Sequence, residues 1–170
     1  MFFWLNRFDK VDVPPICFGK GISEKIQDKL REKVEGKCTG RYGYTILVAR
    51  VVKIHPGRLD VVTGHAHFGV DYQAIVFKPF KNEVLPTEVS LVTEQGFWCQ
   101  AGPLEIFVGT EGIPKDYIFN PTDKLYSSED EDKLIRKGSA CRIRILGMTV
   151  DADKFKVVGT MKGPYLGPDQ

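Results

Sequence analysis

Residues that could bind a metal or act as a nucleophile are few in this chain of 170 residues. The four cysteines lie far apart in the sequence and form no C-x-x-C pair: Cys17, Cys38, Cys99 and Cys141. Zinc sites need clustered ligands, so this spacing predicts reduced, mostly buried thiols in a cytosolic or nuclear protein. His65 and His67 could share one face of a strand, but two ligands do not make a transition-metal site. We expect no metal and no cofactor.

Patterns typical of catalysis are also missing from the sequence. The carboxylates of residues 129–132 follow Ser127 and Ser128 in a long loop-like segment, where runs of charge are normally solvated. No G-x-x-x-x-G-K-[ST] motif follows a predicted strand, which argues against a loop that binds nucleotide phosphates. The sequence therefore favours a protein that is not an enzyme.

Charge and hydropathy narrow the possible classes of protein. Residues 1–80 contain 13 Lys and Arg against 8 Asp and Glu, and residues 81–170 contain 11 against 14. Neither half is basic enough to indicate nucleic-acid binding by charge alone. The longest apolar run, residues 1–5, has five residues, whereas a membrane-spanning helix needs about 20. We expect no secretory leader at the start of the chain.

One amphipathic helix is predicted. Ile22, Ile26, Leu30 and Val34 recur every four residues and form a single apolar stripe, with charged residues on the other faces. Gly36 follows at the position typical of a C-terminal cap. We expect this helix to be stable because its stripe packs into a core.

The rest of the first half predicts strands and turns, and hence a small α+β domain over residues 1–80. Residues 44–52 and 70–77 are β-branched runs, and the turn-rich residues between them indicate a long exposed loop. The segment from Lys78 to Asn82 is the expected boundary, so residues 81–170 form the second domain.

The second domain has shorter strands at the spacing of a barrel. Five strands are predicted, at residues 83–93, 96–101, 104–108, 140–150 and 154–161. Residues 111–138, between the third and the fourth, are expected to be a long irregular insertion. Five strands with one long connection at this place are typical of an OB-fold. The fold class is therefore α+β and rich in β-structure.

The fourth predicted strand of the second domain has two arginines on one face. Cys141, Ile143 and Ile145 alternate with Arg142 and Arg144, so both arginines point away from the core. Side chains about 7 Å apart along a strand could contact adjacent phosphates. The same pattern is also that of an ordinary solvated strand face, and both interpretations remain open.

Landmarks in the same order along the whole chain resemble those of one known family. Residues 34–44, VEGKCTGRYGY, resemble that family's signature after the first helix, and residues 72–81, YQAIVFKPFK, resemble the segment that joins its two domains. Shorter similarities follow at residues 95–97, 102–104, 113–114, 119–120 and 164–167. The family that these landmarks resemble is that of the seventh subunit of eukaryotic RNA polymerase II and its counterpart in archaeal RNA polymerase.

The resemblance implies a non-catalytic stalk subunit that acts in transcription initiation by a nuclear RNA polymerase. A truncated RNP-like tip domain would dock on the polymerase core, and a C-terminal OB-fold would bind emerging single-stranded RNA. The subunit would form a heterodimer with the smaller, helical fourth subunit. The alternatives are a paralogous stalk subunit of RNA polymerase I or III, and a free-standing RNA-binding protein of the OB type.

The implied contacts with the polymerase core lie in two glycine-rich loops. Their candidate residues are Lys37, Gly40, Arg41 and Gly43 in the first loop, and Gly57 and Arg58 in the second. Glycines allow a close approach of backbones, which suits a loop inserted in another protein's groove. Without the resemblance, the same residues are more typical of plain glycine-rich turns.

The implied RNA site lies on the outside of the OB-fold. Alternation predicts that only one of Phe97 and Trp98 is exposed, and the resemblance implies that Phe97 is in the core and that Trp98 is the candidate for base stacking. The alternative is that Trp98 is a half-buried core residue. The candidate RNA-binding residues are Trp98, Phe107, Arg142, Arg144, Lys81 and Lys115, with Lys154 and Lys156 extending a basic stripe. So few basic groups predict weak, salt-sensitive and sequence-independent binding.

Two stretches depart from the family's pattern. Asn82 stands where glycine is more usual, so positive φ is expected to be less accessible there. Residues 60–68 match no family pattern.

Aromatic residues are unusually dense at the start of the chain. Phe2, Phe3, Trp4 and Phe8 exceed what a small core needs. Alternation then leaves some of them outward as a subunit interface, unless they pack under the helix.

Overall fold

The computed structural model describes residues 1–128, 134–151 and 154–168, so the acidic residues 129–132 lie outside the described part. The chain divides into two compact units, Met1–Lys78 and Pro79–Gln170. Within the described ranges, no helix combines the length and the apolar character needed to cross a membrane.

The first unit is a twisted antiparallel sheet with one helix. Its elements are β1 (Phe2–Val13), α1 (Ile22–Val34), β2 (Cys38–Thr39), β3 (Gly43–Ile54), β4 (Arg58–Leu59) and β5 (Ala66–Phe77). The strand order is β1-β5-β3-β2, with β4 also paired to β5. The strand β5 is central, because it pairs with β1 over its whole length and with most of β3.

The predicted helix is confirmed. The structure begins α1 at Ile22 and ends it at Val34, and Gly36 follows with a φ of +71°. Ile26, Leu30 and Val34 are buried against inward residues of β1 and β5 such as Val11 and Val70. Burying an aliphatic side chain contributes about 1.5 to 3 kcal/mol, which exceeds any surface ion pair of this helix.

The second unit is built from nine strands in the described residues. They are β6 (Val84–Thr93), β7 (Gly96–Ala101), β8 (Leu104–Gly109), β9 (Tyr117–Asn120), β10 (Leu125–Ser128), β11 (Leu134–Ile135), β12 (Ala140–Asp151), β13 (Lys154–Thr160) and β14 (Gly167–Pro168). The five predicted strands correspond to β6, β7, β8, β12 and β13, and each end lies within one residue of its expected place.

These five strands form a closed sheet. The pairings run β6-β7-β8-β13, and β12 pairs with both β13 and β6, which returns the order to its start. All of these pairs are antiparallel except β8 with β13. The inward side chains fill the interior, where Phe97, Ile106, Ile143 and Ile145 are fully buried.

The prediction of an irregular insertion over residues 111–138 is wrong in part. The strands β9, β10 and β11 form a small sheet of their own within it. Its turn is stabilised by Asn120, whose Oδ1 accepts a hydrogen bond from the Thr122 N–H at 3.0 Å. The Tyr126 side chain is buried, with its ring 6.4 Å from that of Phe97, and its hydroxyl donates to the Thr93 carbonyl at 2.8 Å.

The expectation for Asn82 is also wrong. Asn82 adopts a φ of +67° in the turn before β6, and its N–H donates to the Ile145 carbonyl at 2.8 Å. Asparagine is among the residues that tolerate the left-handed region best. The turn is therefore made without glycine.

We predict that Tyr126→Phe lowers the free energy of unfolding by about 1 to 2 kcal/mol, because it removes the hydroxyl donor of the Thr93 and Glu94 carbonyls. Chemical denaturation followed by fluorescence measures the change. The matched control is Tyr165→Phe, which deletes the same atom from a fully exposed ring. Equal stability of the two variants would contradict a structural role for the hydroxyl.

Candidate nucleic-acid and protein interfaces

One row of apolar side chains crosses the outside of the closed sheet. The pairing registers place Leu91, Trp98, Phe107 and Val158 side by side on β6, β7, β8 and β13. Trp98 is 40% exposed, and its ring centroid lies 4.8 Å from that of Phe107 at an interplanar angle of 46°. Phe97, one residue earlier, is fully buried. The predicted orientation of the two aromatic residues is therefore confirmed, while base stacking stays a prediction.

A groove of about 540 Å³ runs beside this row. It is lined by Trp98, Glu105, Phe107, Asp151, Lys154, Phe155, Lys156, Val157 and Val158. The Lys156 ammonium donates to the Asp151 carboxylate at 2.5 Å, and this hydrogen bond lowers the pKa of Asp151. The groove thus has an aromatic wall and, beside it, two lysines balanced by two carboxylates.

The two arginines of β12 do not line this groove. They lie on the outer face of β12, opposite the buried Cys141, Ile143 and Ile145, as the alternation predicts. Arg142 faces Pro86 of β6 and Gly167 of β14 across the ladder. Arg144 pairs with Thr160, which is buried and donates its hydroxyl to the Gly112 carbonyl at 2.9 Å. The neighbour of Arg144 on β13 is therefore buried rather than exposed to solvent.

The remaining predicted RNA-binding lysines occupy other places. Lys81 is exposed in the turn before β6. Lys115 lines a separate cavity of about 370 Å³ past the end of β8, together with Tyr117 and Lys162. The structure therefore distributes the six candidate residues over several surfaces and brings only Trp98 and Phe107 into contact. Lys154 and Lys156 join those two aromatics in the groove.

The two glycine-rich loops of the first unit lie at opposite ends of its sheet. Gly43 and Tyr44 begin β3 beside Phe77, at one end of β5, whereas Arg58 pairs with His67 at the other end. The ten residue steps of β5 from His67 to Phe77 span about 33 Å. The two loops are therefore separate surfaces of this unit.

The first loop is held by contacts within its own unit. The guanidinium of Arg7 lies 5.1 Å from the Tyr42 ring centroid, and Lys78 Nζ donates to the Arg41 carbonyl at 3.0 Å. Gly43 has a φ of +93°, and a Cβ there would lie 2.4 Å from the Phe77 carbonyl oxygen. The requirement for glycine at position 43 is thus structural.

The Arg7 side chain belongs to a partly buried polar cluster beside this loop. Its Nη1 donates to Thr45 Oγ1 at 3.2 Å, and its Nη2 lies 3.6 Å from the Asp9 carboxylate. The Tyr72 hydroxyl donates to the same carboxylate at 2.6 Å, and burial raises the pKa of Tyr72. These contacts fix Arg7 against the sheet, from where it contacts Tyr42.

The second loop presents aliphatic side chains to solvent. Val61 and Val62 are each 93% exposed, and Leu59 is exposed as well. Gly64 lies close to Pro15, so the segment with Ile16, which is 91% exposed, is adjacent. Sequence analysis missed these residues, because residues 60–68 matched no family pattern and an exposed valine is identical to a buried one in the sequence.

Asp60 gives this loop a fixed shape. Its carboxylate accepts hydrogen bonds from the Val62 N–H at 3.0 Å and the Thr63 hydroxyl at 2.7 Å, and these bonds lower its pKa. Its backbone exchanges further bonds with Gly64 and His65 at 2.8 Å. At the base of the loop, Gly57 lies against the ring of Phe68, where a Cβ would come within 2.5 Å. The valines are therefore displayed by a closed turn.

Alternation along β1 places three aromatic side chains on the sheet face opposite α1. Phe2, Trp4 and Phe8 are exposed, with Trp4 at 67%, whereas Phe3 packs partly against the core. The prediction that some of these residues point outward is confirmed. Ile75, which pairs with Trp4, and Leu47, which pairs with Ile75, extend this apolar surface.

Comparison with known proteins gives consistent matches. A family model described as "SHS2 domain found in N terminus of Rpb7p/Rpc25p/MJ0397" matches residues 8–64. The chain is 37% identical over 168 residues to DNA-directed RNA polymerase II subunit RPB7 of Glycine max, covering 98% of this chain and 96% of that protein. It is 39% identical over 169 residues to subunit rpb7 of Dictyostelium discoideum, covering 98% of each. It is 28% identical over 160 residues to the RNA polymerase subunit Rpo7 of Saccharolobus shibatae, covering 92% of this chain and 89% of that protein.

We predict that the Val62 amide resonance titrates with an apparent pKa below about 3.9, the ordinary value for aspartate, because its partner carboxylate is stabilised in the charged form. The turn is therefore intact above that pKa and loosens as the pH falls through it. NMR titration measures the effect, and Asp60→Asn should abolish it. A Val62 amide that is insensitive to pH in the native chain would contradict this account of the loop.

Proposed function

Because the chain belongs to the RPB7 family of DNA-directed RNA polymerase II subunits, we propose that it is a non-catalytic stalk subunit of RNA polymerase II. The observation that carries this proposal is the match over nearly the full length of both this chain and its relatives. A free-standing RNA-binding protein is disfavoured, because these full-length relatives are polymerase subunits. RNA polymerase II is preferred to polymerases I and III, because several such relatives bear its name.

The proposal includes a nuclear location and a role in binding rather than in chemistry. The relatives are subunits of an enzyme complex, and the groups singled out above are suited to contacts with other macromolecules. The first unit would dock on the polymerase core, the second would bind emerging RNA, and the fourth polymerase subunit would form a heterodimer with the chain.

For docking on the polymerase core we propose the loop of Gly57 and Arg58. Val61 and Val62 project from it with almost their whole side chains in solvent, which is the kind of apolar projection that a partner buries. Because Asp60 holds the turn closed, little conformational entropy is lost on docking. The loop of Lys37, Gly40, Arg41 and Gly43 lies about 33 Å away and would make a separate contact.

We predict that the double variant Val61→Asp, Val62→Asp weakens incorporation into RNA polymerase II at least about tenfold, because two carboxylates must then be desolvated at the contact. Co-purification with tagged polymerase measures incorporation. The free energy of unfolding should stay unchanged, since both side chains are exposed. Arg41→Ala serves as the comparison at the other end of the sheet. Normal incorporation of the double variant together with loss for Arg41→Ala would reverse the assignment of the docking loop.

For RNA we propose that the second unit is an OB-fold and that its groove binds single-stranded RNA. The closed strand order β6-β7-β8-β13-β12, with its single parallel pair, supports the fold. The Trp98 and Phe107 rings supply a surface on which bases could stack, and Lys154 and Lys156 supply charge for phosphates. Because Glu105 and Asp151 offset these lysines, binding should be weak and sensitive to salt.

We predict that Trp98→Ala weakens binding of a short single-stranded RNA by about five- to a hundredfold, the range for the loss of one stacked base. Fluorescence anisotropy at low salt measures the affinity. The control is Trp4→Ala, which removes the other exposed indole, that of the first unit. If both variants bind like the native chain, the groove is not the RNA site.

We also predict that Arg142→Ala with Arg144→Ala weakens the binding and flattens its salt dependence, by about 0.7 in log–log slope for each phosphate that is no longer neutralised. The result decides whether the two arginines of β12 contact phosphates or lie on an ordinary solvated face of the strand. An unchanged slope would remove the arginines from the RNA site, whereas a flatter slope without any effect of Trp98→Ala would move the RNA path from the groove to β12.

For the heterodimer we propose that the fourth subunit covers the aromatic face of β1. The face carries Phe2, Trp4 and Phe8 in a single row, with Leu47 and Ile75 beside Trp4. α1 covers the other face of the same sheet, so this one is available to a partner. Co-expression with the fourth subunit and light scattering test the proposal: a one-to-one complex is expected, and a chain that stays monomeric in its presence would overturn it.

A further inference from the structure

The strand β1 forms one edge of the first sheet, and half of its peptide groups point away from that sheet. Met1 and Lys78 exchange two backbone hydrogen bonds, at 3.0 and 3.1 Å. In an antiparallel pair, such bonded positions recur at every second residue, so the odd-numbered residues of β1 bond to β5. The even-numbered residues direct their N–H and C=O groups to the open edge. The Lys10 carbonyl agrees with this geometry, because Lys33 Nζ of α1 donates to it from outside the sheet at 2.5 Å.

The opposite edge of the sheet is protected, in contrast to β1. The ladder of β3 with β5 contains three register shifts, and the Val48 N–H on that strand donates to the Glu35 carboxylate at 2.7 Å. The short strand β2 covers its beginning. Natural sheets prevent the addition of a further strand by such bulges and by covering the backbone groups of the edge.

The edge of β1 has none of these protections between Phe2 and Phe8. Its twelve pairs with β5 follow one another without a register shift, and the segment contains no proline. Arg7 is the only charged residue among residues 2–8, and it points to the side of α1. In the described part of the chain, no hydrogen bond reaches the outward groups of Trp4 or Asn6. A regular edge of this length, with no charged side chain on its exposed face, is a site for pairing with another strand.

We propose that the edge of β1 from Phe2 to Phe8 receives an extended strand of the partner subunit, which continues the sheet. This inference rests on the heterodimer proposed above and specifies how the partner binds. The even-numbered residues supply both parts of the site, since their backbone groups face the edge while the side chains of Phe2, Trp4 and Phe8 stand on the exposed face. The incoming strand should carry uncharged, mainly apolar residues at alternate positions, because those side chains lie beside Phe2 and Trp4.

The hydrogen bonding along β1 gives a direct test. In the isolated full-length chain, the amides of Trp4, Asn6 and Phe8 should exchange with deuterium quickly, and those of Leu5 and Arg7 slowly. In the complex with the fourth subunit, exchange at the three even-numbered positions should slow at least about tenfold. NMR or fragment-resolved mass spectrometry measures these rates.

The outcomes separate this inference from the proposed heterodimer. A complex that forms while the even-numbered amides keep their fast exchange overturns strand addition and leaves the heterodimer intact. Failure to form any complex overturns the heterodimer itself, and strand addition by that partner with it. Slowed exchange when the chain alone is concentrated identifies a second copy as the occupant, which also overturns the inference.

A pair of variants tests the same point through affinity. Asn6→Pro removes one outward N–H without removing a bond to β5, and edge strands tolerate proline in that orientation. It should weaken the complex at least about fivefold. Asn6→Thr keeps the N–H, changes the side chain and should bind like the native chain. Equal affinity of the two variants overturns the proposal, and far-ultraviolet circular dichroism with denaturation establishes that Asn6→Pro is folded.

Discussion

Each surface of this molecule depends on one geometric constraint, the opposite orientation of successive side chains along a strand. In the second unit, burying Phe97 directs Trp98 outward, and burying Cys141 and Ile143 directs Arg142 outward. In the first unit, packing the odd-numbered residues of β1 against α1 leaves Trp4 in solvent. A one-residue slip of any of these strands would exchange core for surface, at a cost of several buried aliphatic side chains. The outward side chains are therefore as well specified as the cores.

Strand pairing then decides which exposed residues act together. The five strands of the closed sheet bring Trp98 and Phe107 into ring contact and add two lysines from β13, although about fifty residues separate the two groups in sequence. The same pairing leaves Arg142 and Arg144 on another part of the surface. In the first unit, the length of β5 places the two glycine-rich loops at opposite ends of the sheet. The type of a residue makes it a candidate for a binding site, but the register of strand pairing decides which candidates lie next to one another.

Much of the architecture could be predicted from the sequence, because its long elements have strong periodicity. The stripe from Ile22 to Val34 and the five strands of the second unit are regular enough to fix their ends within a residue, and the family matches agree with the interpretation. The sheet of β9, β10 and β11 was missed because its strands are short and depend on the turn at Asn120 and the anchor at Tyr126. The exposed valines of the Asp60 loop were missed for another reason, since exposure is a property of the fold and not of the residue.

The two exposed tryptophans differ in which groups around them are available to a ligand. Trp98 stands in the middle of a sheet whose strands are all paired, so only its ring is available for contact, and two lysines and two carboxylates line the groove beside it. Trp4 stands on an edge strand whose outward peptide groups can accept another strand, and its apolar neighbours are Leu47 and Ile75. A ring beside open peptide groups favours a protein ligand, because only a polypeptide can satisfy both the ladder and the apolar face. This difference is the reason why we propose RNA as the ligand of the closed sheet and a protein as the ligand of the open one.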